Sequence, residues 1–134
     1  MKVAVPVSSG RVSTVFDFAR RLLVVEFRDG RETDRFEIGL RDEVPLSRAH
    51  RLQGLGVRCL ICGAISRSLV QRFEGAGVEV TPLVSGSVDE VLAAYLSGEL
   101  EQTRFLMPGC TANQRTGLQE SRRQSGILRG GGQR

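Results

Sequence analysis

The chain has 134 residues, a formal charge of +4, 40% hydrophobic residues and 25% charged ones, which suffices for one domain with a real core and not for two of ordinary size. No apolar run approaches the roughly 20 residues of a membrane span, and Met1-Lys2-Val3-Ala4-Val5-Pro6 lacks the features of a signal peptide, so a cytoplasmic protein is expected. Three cysteines, an odd count, argue for free thiols in a reducing compartment and against a disulfide scaffold.

Lys2–Val7 alternates and is rich in valine, which reads as a strand broken by Ser8-Ser9-Gly10-Arg11. Arg21–Arg28 carries an apolar run long enough for burial on both faces. Asp29-Gly30 then signals a hairpin, so a strand over Glu32–Gly39 should return antiparallel. The period changes over Val44–Leu55, where Leu46, Ala49, Leu52 and Leu55 share a helical face closed by Gly54 and Gly56. Arg58–Cys62 is a strand. Ser66–Glu74 is a helix burying Leu69, Val70 and Phe73, and Val78–Leu83 is a further strand. Ser87 and Glu90 form a capping box for a last helix with Val91, Leu92, Tyr95 and Leu96 inward, ended by Gly98. The order β-β-β-α-β-α-β-α predicts an α/β domain over residues 1–102: a mixed five-stranded sheet with flanking helices.

Charge separates this domain from the C-terminal segment. Residues 1–102 hold 13 Lys/Arg against 14 Asp/Glu, whereas residues 103–134 hold 6 against 1. The near-neutral domain is not expected to bind nucleic acid. Residues 112–134, poor in large apolar groups, read as a disordered segment within a flexible Arg/Gly-rich tail. Arg115, Arg122, Arg123, Arg129 and Arg134 read as its solvated charges, with no aromatic residues between them for base stacking.

Chemistry concentrates where strands end. Cys62 sits where a strand meets a loop, and Gly63 permits close backbone approach. Its thiolate suits soft metal centres, or its thiol is simply a small buried hydrophobe. Cys59 and Cys62 are three apart on a strand and face opposite sides, so they do not form a converging Cys-x-x-Cys site. Met107-Pro108-Gly109-Cys110 presents Cys110 on a bend, either meeting Cys62 if the tail folds back or standing as an exposed thiol. Ser8, Ser9, Gly10 and Ser13 surround the first turn and can form an anion-binding nest, supplemented by the N-terminus of the helix at Ser66; turn chemistry alone is the other reading. His50, the only histidine, reads as solvated. No set of convergent carboxylates supports a nuclease or hydrolase.

Taken in order, Met1–Ser8, Val12-Ser13-Thr14-Val15-Phe16-Asp17-Phe18-Ala19, Leu60-Ile61-Cys62-Gly63-Ala64-Ile65-Ser66, Gly77-Val78-Glu79-Val80 and Val88-Asp89-Glu90-Val91-Leu92 resemble the dinitrogenase iron–molybdenum cofactor biosynthesis family. This family includes NifX-type carriers and the C-terminal domain of NifB-type proteins, and the resemblance spans about residues 1–100. It implies a ribonuclease-H-like fold and non-enzymatic binding and carriage of an iron–sulfur or molybdenum–iron–sulfur cluster or its precursor. Metallocluster donor and acceptor proteins would then be the partners. The implied cluster site comprises Ser8, Ser9, Gly10, Ser13, Phe16, Asp17, Gly63, Ala64, Ile65 and Ser66, with Cys62 and Cys110 as metal ligands. Many members carry His-Phe-Gly where this chain has Val15-Phe16-Asp17, so an imidazole ligand is replaced at best by a carboxylate. The alternative is a cluster-less regulatory or interaction module of the same fold, and an exposed edge strand leaves a homodimer open.

Overall fold

Successive side chains of a strand point to opposite faces, and here both faces are covered. The computed structural model describes residues 1–40, 44–111 and 114–115. Its elements are β1 (Lys2–Ser8), β2 (Arg11–Val12), β3 (Arg21–Arg28), β4 (Arg31–Gly39), α1 (Pro45–Gly54), β5 (Val57–Ile61), α2 (Arg67–Gly75), β6 (Glu79–Thr81) and α3 (Val88–Ser97). Short 3-10 turns lie at Phe16–Phe18 and Thr103–Phe105.

The sheet order is β4-β3-β1-β5-β6, with β2 paired to β1 alone. β1, β3 and β4 are antiparallel neighbours, with Val5 opposite Leu23 and Val24 opposite Phe36. β5 and β6 run parallel to β1 and to each other, with Ala4 opposite Leu60 and Leu60 opposite Val80. The sheet thus has six strands where five are expected. The extra one, β2, has two residues, too few to carry an alternation. It exists because Ser9 and Gly10 both take positive φ, 51° and 76°, and return the chain as a tight hairpin with Val7 opposite Val12. Asp29 and Gly30 make the same turn between β3 and β4.

One face of the sheet packs Val3, Val5, Leu23, Val25, Cys59 and Ile61 against α3. The other packs Ala4, Leu22, Val24, Leu60 and Cys62 against α1 and α2. Cys59 and Cys62 therefore lie on opposite faces, as their spacing requires. Leu69, Val70 and Phe73 are buried on α2, and Ala49 and Leu52 on α1; the side chain of Leu46 lies outside the described residues. On α3 the expectation for Leu96 fails. It is 44% exposed, and Val88 and Ala94 are buried beside Val91 and Leu92. Ser87 Oγ caps the helix as expected, accepting from the Glu90 N–H at 3.2 Å; the buried stripe runs round the helix from Ala94 through Val91, the partly buried Tyr95 and Val88 to Leu92, and Leu96 lies just beyond that edge. β6 stops at Thr81 because Pro82 follows and Leu83 takes φ +62°.

Candidate functional site

The carboxyl ends of β1, β5 and β6 share one edge of the sheet, the edge at which open α/β sheets present their loops. β1 pairs with β5 only over Lys2–Ala4. Beyond that point the two strands part, and residues 13–16 enter between them. Ser13 N–H donates to Pro6 O (2.8 Å), Ala64 N–H to Thr14 O (2.8 Å) and Phe16 N–H to Ala64 O (2.8 Å), so that Val15 and Ala64 form a parallel bridge. Gly63 makes this insertion possible. A Cβ there would lie 2.6 Å from the backbone oxygens of Ser13 and Thr14.

The inserted segment closes the strand-end crevice. Phe16 is fully buried and meets Phe73 edge-on at 5.4 Å. Arg48, buried on α1, lies over the Phe16 ring, donates to Phe16 O (2.6 Å) and Leu40 O (3.0 Å), and fixes the turn from below. Cys62 is in the same core cluster and has no exposed surface. Burial pushes its thiol well above the ordinary range, with Cys59 and Asp17 pushing the same way and Arg115 opposing. In this arrangement it is a protonated core residue. Asp17 Oδ1 is buried with no hydrogen-bond partner.

Outside the plug lies an open cleft of about 610 Å³, lined by Ser8, Ser9, Arg11, Ser13, Thr14 and Val15 and, across from them, by Phe18, Arg20 and Arg21. Phe18 stands 81% exposed on its lip. Arg21 is tied to Glu37 at 2.6 Å, while Arg11 and Arg20 carry no ion pair among the described residues. The Val12 and Ser13 N–H groups are engaged by Gly86 O and Pro6 O. Those two amides are thus taken, and the lining adds serine hydroxyls and guanidinium groups as donors. Hydroxyl and guanidinium groups of this kind can serve an anion as hydrogen-bond donors and are not metal ligands. Among the described residues no three His, Cys, Asp or Glu side chains form a metal-holding group.

A sequence profile described as dinitrogenase iron–molybdenum cofactor matches residues 1–98, nearly three quarters of the chain. The chain belongs to this family. It is 26% identical over 107 residues to the uncharacterized protein MJ0580 of Methanocaldococcus jannaschii, covering 76% of this chain and 91% of that one. Its fold is that of PH0822 (TM-score 0.71, 20% identity, 74% of this chain and 91% of that one). It is also that of the apo form of the orange protein from Desulfovibrio gigas (TM-score 0.64, 20% identity, 73% and 88%).

In this dinitrogenase-cofactor family member the expected site residues separate into two groups. Ser8, Ser9 and Ser13 line the cleft, with Gly10 at its turn. Phe16, Gly63, Ala64, Ile65 and Cys62 form the plug and the core behind it, and Ser66 caps α2 by accepting from the Leu69 N–H at 3.4 Å. Cys110, half-buried, sits on the Met107–Cys110 turn apart from the cleft lining. The sequence does not single out four arginines that the structure places at or behind the cleft. Arg11, Arg20 and Arg21 have the pattern of ordinary strand-flanking charges. Arg115, expected in a solvated tail, is 2% exposed and bound to four carbonyls. Nothing in sequence marks a buried arginine in a Gly/Gln-rich stretch; residues 112–113 and 116–134 lie outside the described residues. His50 is exposed, on α1. No helix among the described residues is long and apolar enough to cross a membrane.

Proposed function

We propose that this protein binds and carries an anionic metal–sulfur cluster, or a cluster precursor, for metallocofactor assembly, without catalysing a reaction of its own. The observation that carries this reading is the cleft bearing Arg11, Arg20 and Arg21 beside three serine hydroxyls, at the strand-end edge of a family fold tied to iron–molybdenum cofactor. Sulfido clusters and thiometallates are anions, and guanidinium groups hold them through charge and hydrogen bonds while leaving the metal's own ligands in place. Binding of that kind is reversible, which suits a carrier passing cargo from a donor protein to an acceptor. The antiparallel β4-β3-β1 meander joined to parallel β5 and β6 supports the ribonuclease-H-like description of the fold.

Cys62 then acts second. It lies behind Phe16, so thiolate ligation follows displacement of residues 13–16, with the thiol proton leaving to solvent and one cargo ligand leaving the metal. Cys110 is the ligand offered from outside. The test uses tetrathiomolybdate, the simplest molybdenum–sulfide dianion, titrated anaerobically and followed by visible absorption. Wild type should bind it, the Arg11→Ala/Arg20→Ala variant should lose it, and Cys62→Ala should keep the first encounter and lose any slower spectral change. Equal binding by the double-arginine variant and wild type would sink the cleft as the cargo site.

The burial of Cys62 and the lack of a three-donor group among the described residues favour one other reading, a regulatory or interaction module that has the fold without a cluster. A wild-type protein that takes up neither thiomolybdate nor an offered iron–sulfur cluster would select it.

A further inference from the structure

The chain does not leave the fold where the family match ends at residue 98. Phe105 is buried against α3, its carbonyl accepts from the Ser85 N–H (2.9 Å), and Met107 N–H donates to Leu83 O (3.0 Å). Val84 and Leu106 thereby form an antiparallel bridge, and residues 103–111 lie as a strap along the loop after β6. Arg115 fastens it. Its Nε donates to Pro82 O (2.7 Å), Nη1 to Leu100 O (3.3 Å), and Nη2 to both Leu83 O (3.2 Å) and Phe105 O (3.3 Å). A planar fork of five N–H groups serves four carbonyls at once, whereas an ammonium has three donors on a single atom.

The same loop holds the cleft on its other side. Gly86 O accepts from the Val12 N–H (3.0 Å), Gly10 O accepts from the Val88 N–H (2.9 Å), and Arg11 bridges Ser87. Residues 82–88 are thus a shared rail, with the strap bonded to its first half and the cleft wall to its second. The rail is not relaxed on its own. Leu83 takes φ +62°, a conformation that a leucine holds only when its surroundings impose it. Arg115 binds the carbonyl of that residue and of the one before it. Gly86 takes φ +138°, a backbone conformation that residues with a side chain rarely adopt, and lies beside the Phe105 ring.

We infer that Arg115 is a positioning residue for the cargo cleft: by riveting the strap to the 82–88 loop it sets where Arg11, Val12 and Ser13 stand. The inference rests on the cleft reading only for its consequence on cargo; the coupling of strap to wall stands on the bonds themselves. It assigns a function to a segment outside the matched family region, and it places Cys110, on the strap's turn, under the control of the same rivet.

The experiment compares the full-length wild type, Arg115→Gln and Arg115→Lys by amide hydrogen exchange, and then by the dissociation rate of tetrathiomolybdate. Loss of the charged fork should raise exchange at the Val12 and Val88 amides by about tenfold or more while Val3–Val5 stay protected. Lysine, with a cation but no fork, should give an intermediate result. The thiomolybdate off-rate should rise in the same order. Faster exchange confined to Ser85 and Met107, with Val12 and Val88 unchanged, would show that the strap ends at the rail and overturn the proposal. Should Arg115→Gln expose Val3–Val5 as well, Arg115→Lys decides between the same two outcomes. Failure of wild type to bind thiomolybdate would sink the cargo reading of the cleft and leave the exchange result to judge this inference.

Discussion

At the scale of single residues, Cys62 shows how position and environment diverge. Its place at a strand end before a glycine is legible in sequence, and so is the opposed facing of Cys59, since both follow from strand geometry. Its accessibility is not, because that depends on a segment 46 to 49 residues earlier in the chain folding across it. The consequence is measurable. Burial, then the Cys59 and Asp17 charges, hold the folded thiol above its ordinary value of 9.0, so the folded state keeps a proton that the unfolded chain releases. Stability from this group is fully present below pH 9 and is lost as pH rises above it. Urea denaturation at pH 8 and pH 10 should show wild type losing on the order of 1 kcal/mol from this site. Cys62→Ala should show a smaller loss over the same interval. Tyr95, whose phenol is also pushed up by burial, contributes to the remaining decline in both proteins. An identical pH dependence in the two would mean that the thiol is already open to water. The same burial implies that Cys110 labels in the native protein while Cys59 and Cys62 do not.

At the scale of elements, β1, β3 to β6 and the three helices can be read within a residue or two at most ends, because each announces itself locally: alternation in Lys2–Val7, the Asp29-Gly30 turn, the Ser87 cap. What cannot be read is pairing between segments that lack a period. Residues 13–16 have no strand pattern long enough to notice, yet they form a parallel bridge with Ala64 and supply the lid of the core. Gly63 is the signal that points there. It reads in sequence as a residue allowing close approach, and the approaching group proves to be the chain's own Ser13–Thr14 backbone. Gly63→Ala should therefore act on the plug. Its Cβ meets two carbonyl oxygens at 2.6 Å that belong to backbone and cannot swing aside as a side chain would. The expected cost is about 2–4 kcal/mol by chemical denaturation, together with faster labelling of Cys62 as Phe16 is displaced. A variant as stable as wild type, with Cys62 still protected, would mean that the two segments part without consequence.

At the scale of the whole molecule, the net charge of +4 hides the distribution that matters. The domain over residues 1–102 is nearly neutral by count, which argues against nucleic acid as its ligand and points to no charged site. The fold, however, brings Arg11 and the adjacent pair Arg20-Arg21 around one cleft and leaves Arg11 and Arg20 without ion pairs among the described residues. Counting charges along a chain cannot show this, since Arg11 meets the Arg20-Arg21 pair only through the β1–β2 hairpin and the return into β3. All three are exposed, so they add little to folding stability. Their attraction for a dianion acts through water and is screened by salt, with a Debye length of about 10 Å at 0.1 M. Thiomolybdate affinity should accordingly weaken about tenfold between roughly 0.05 and 0.5 M sodium chloride. Arg20→Ala should weaken it further at low salt and flatten the salt dependence, with the thermal midpoint unchanged. Cargo held chiefly by metal–thiolate bonds behaves differently: salt-independent affinity in wild type, equal affinity in Arg20→Ala and loss in Cys62→Ala would move the site from the cleft to the core behind it.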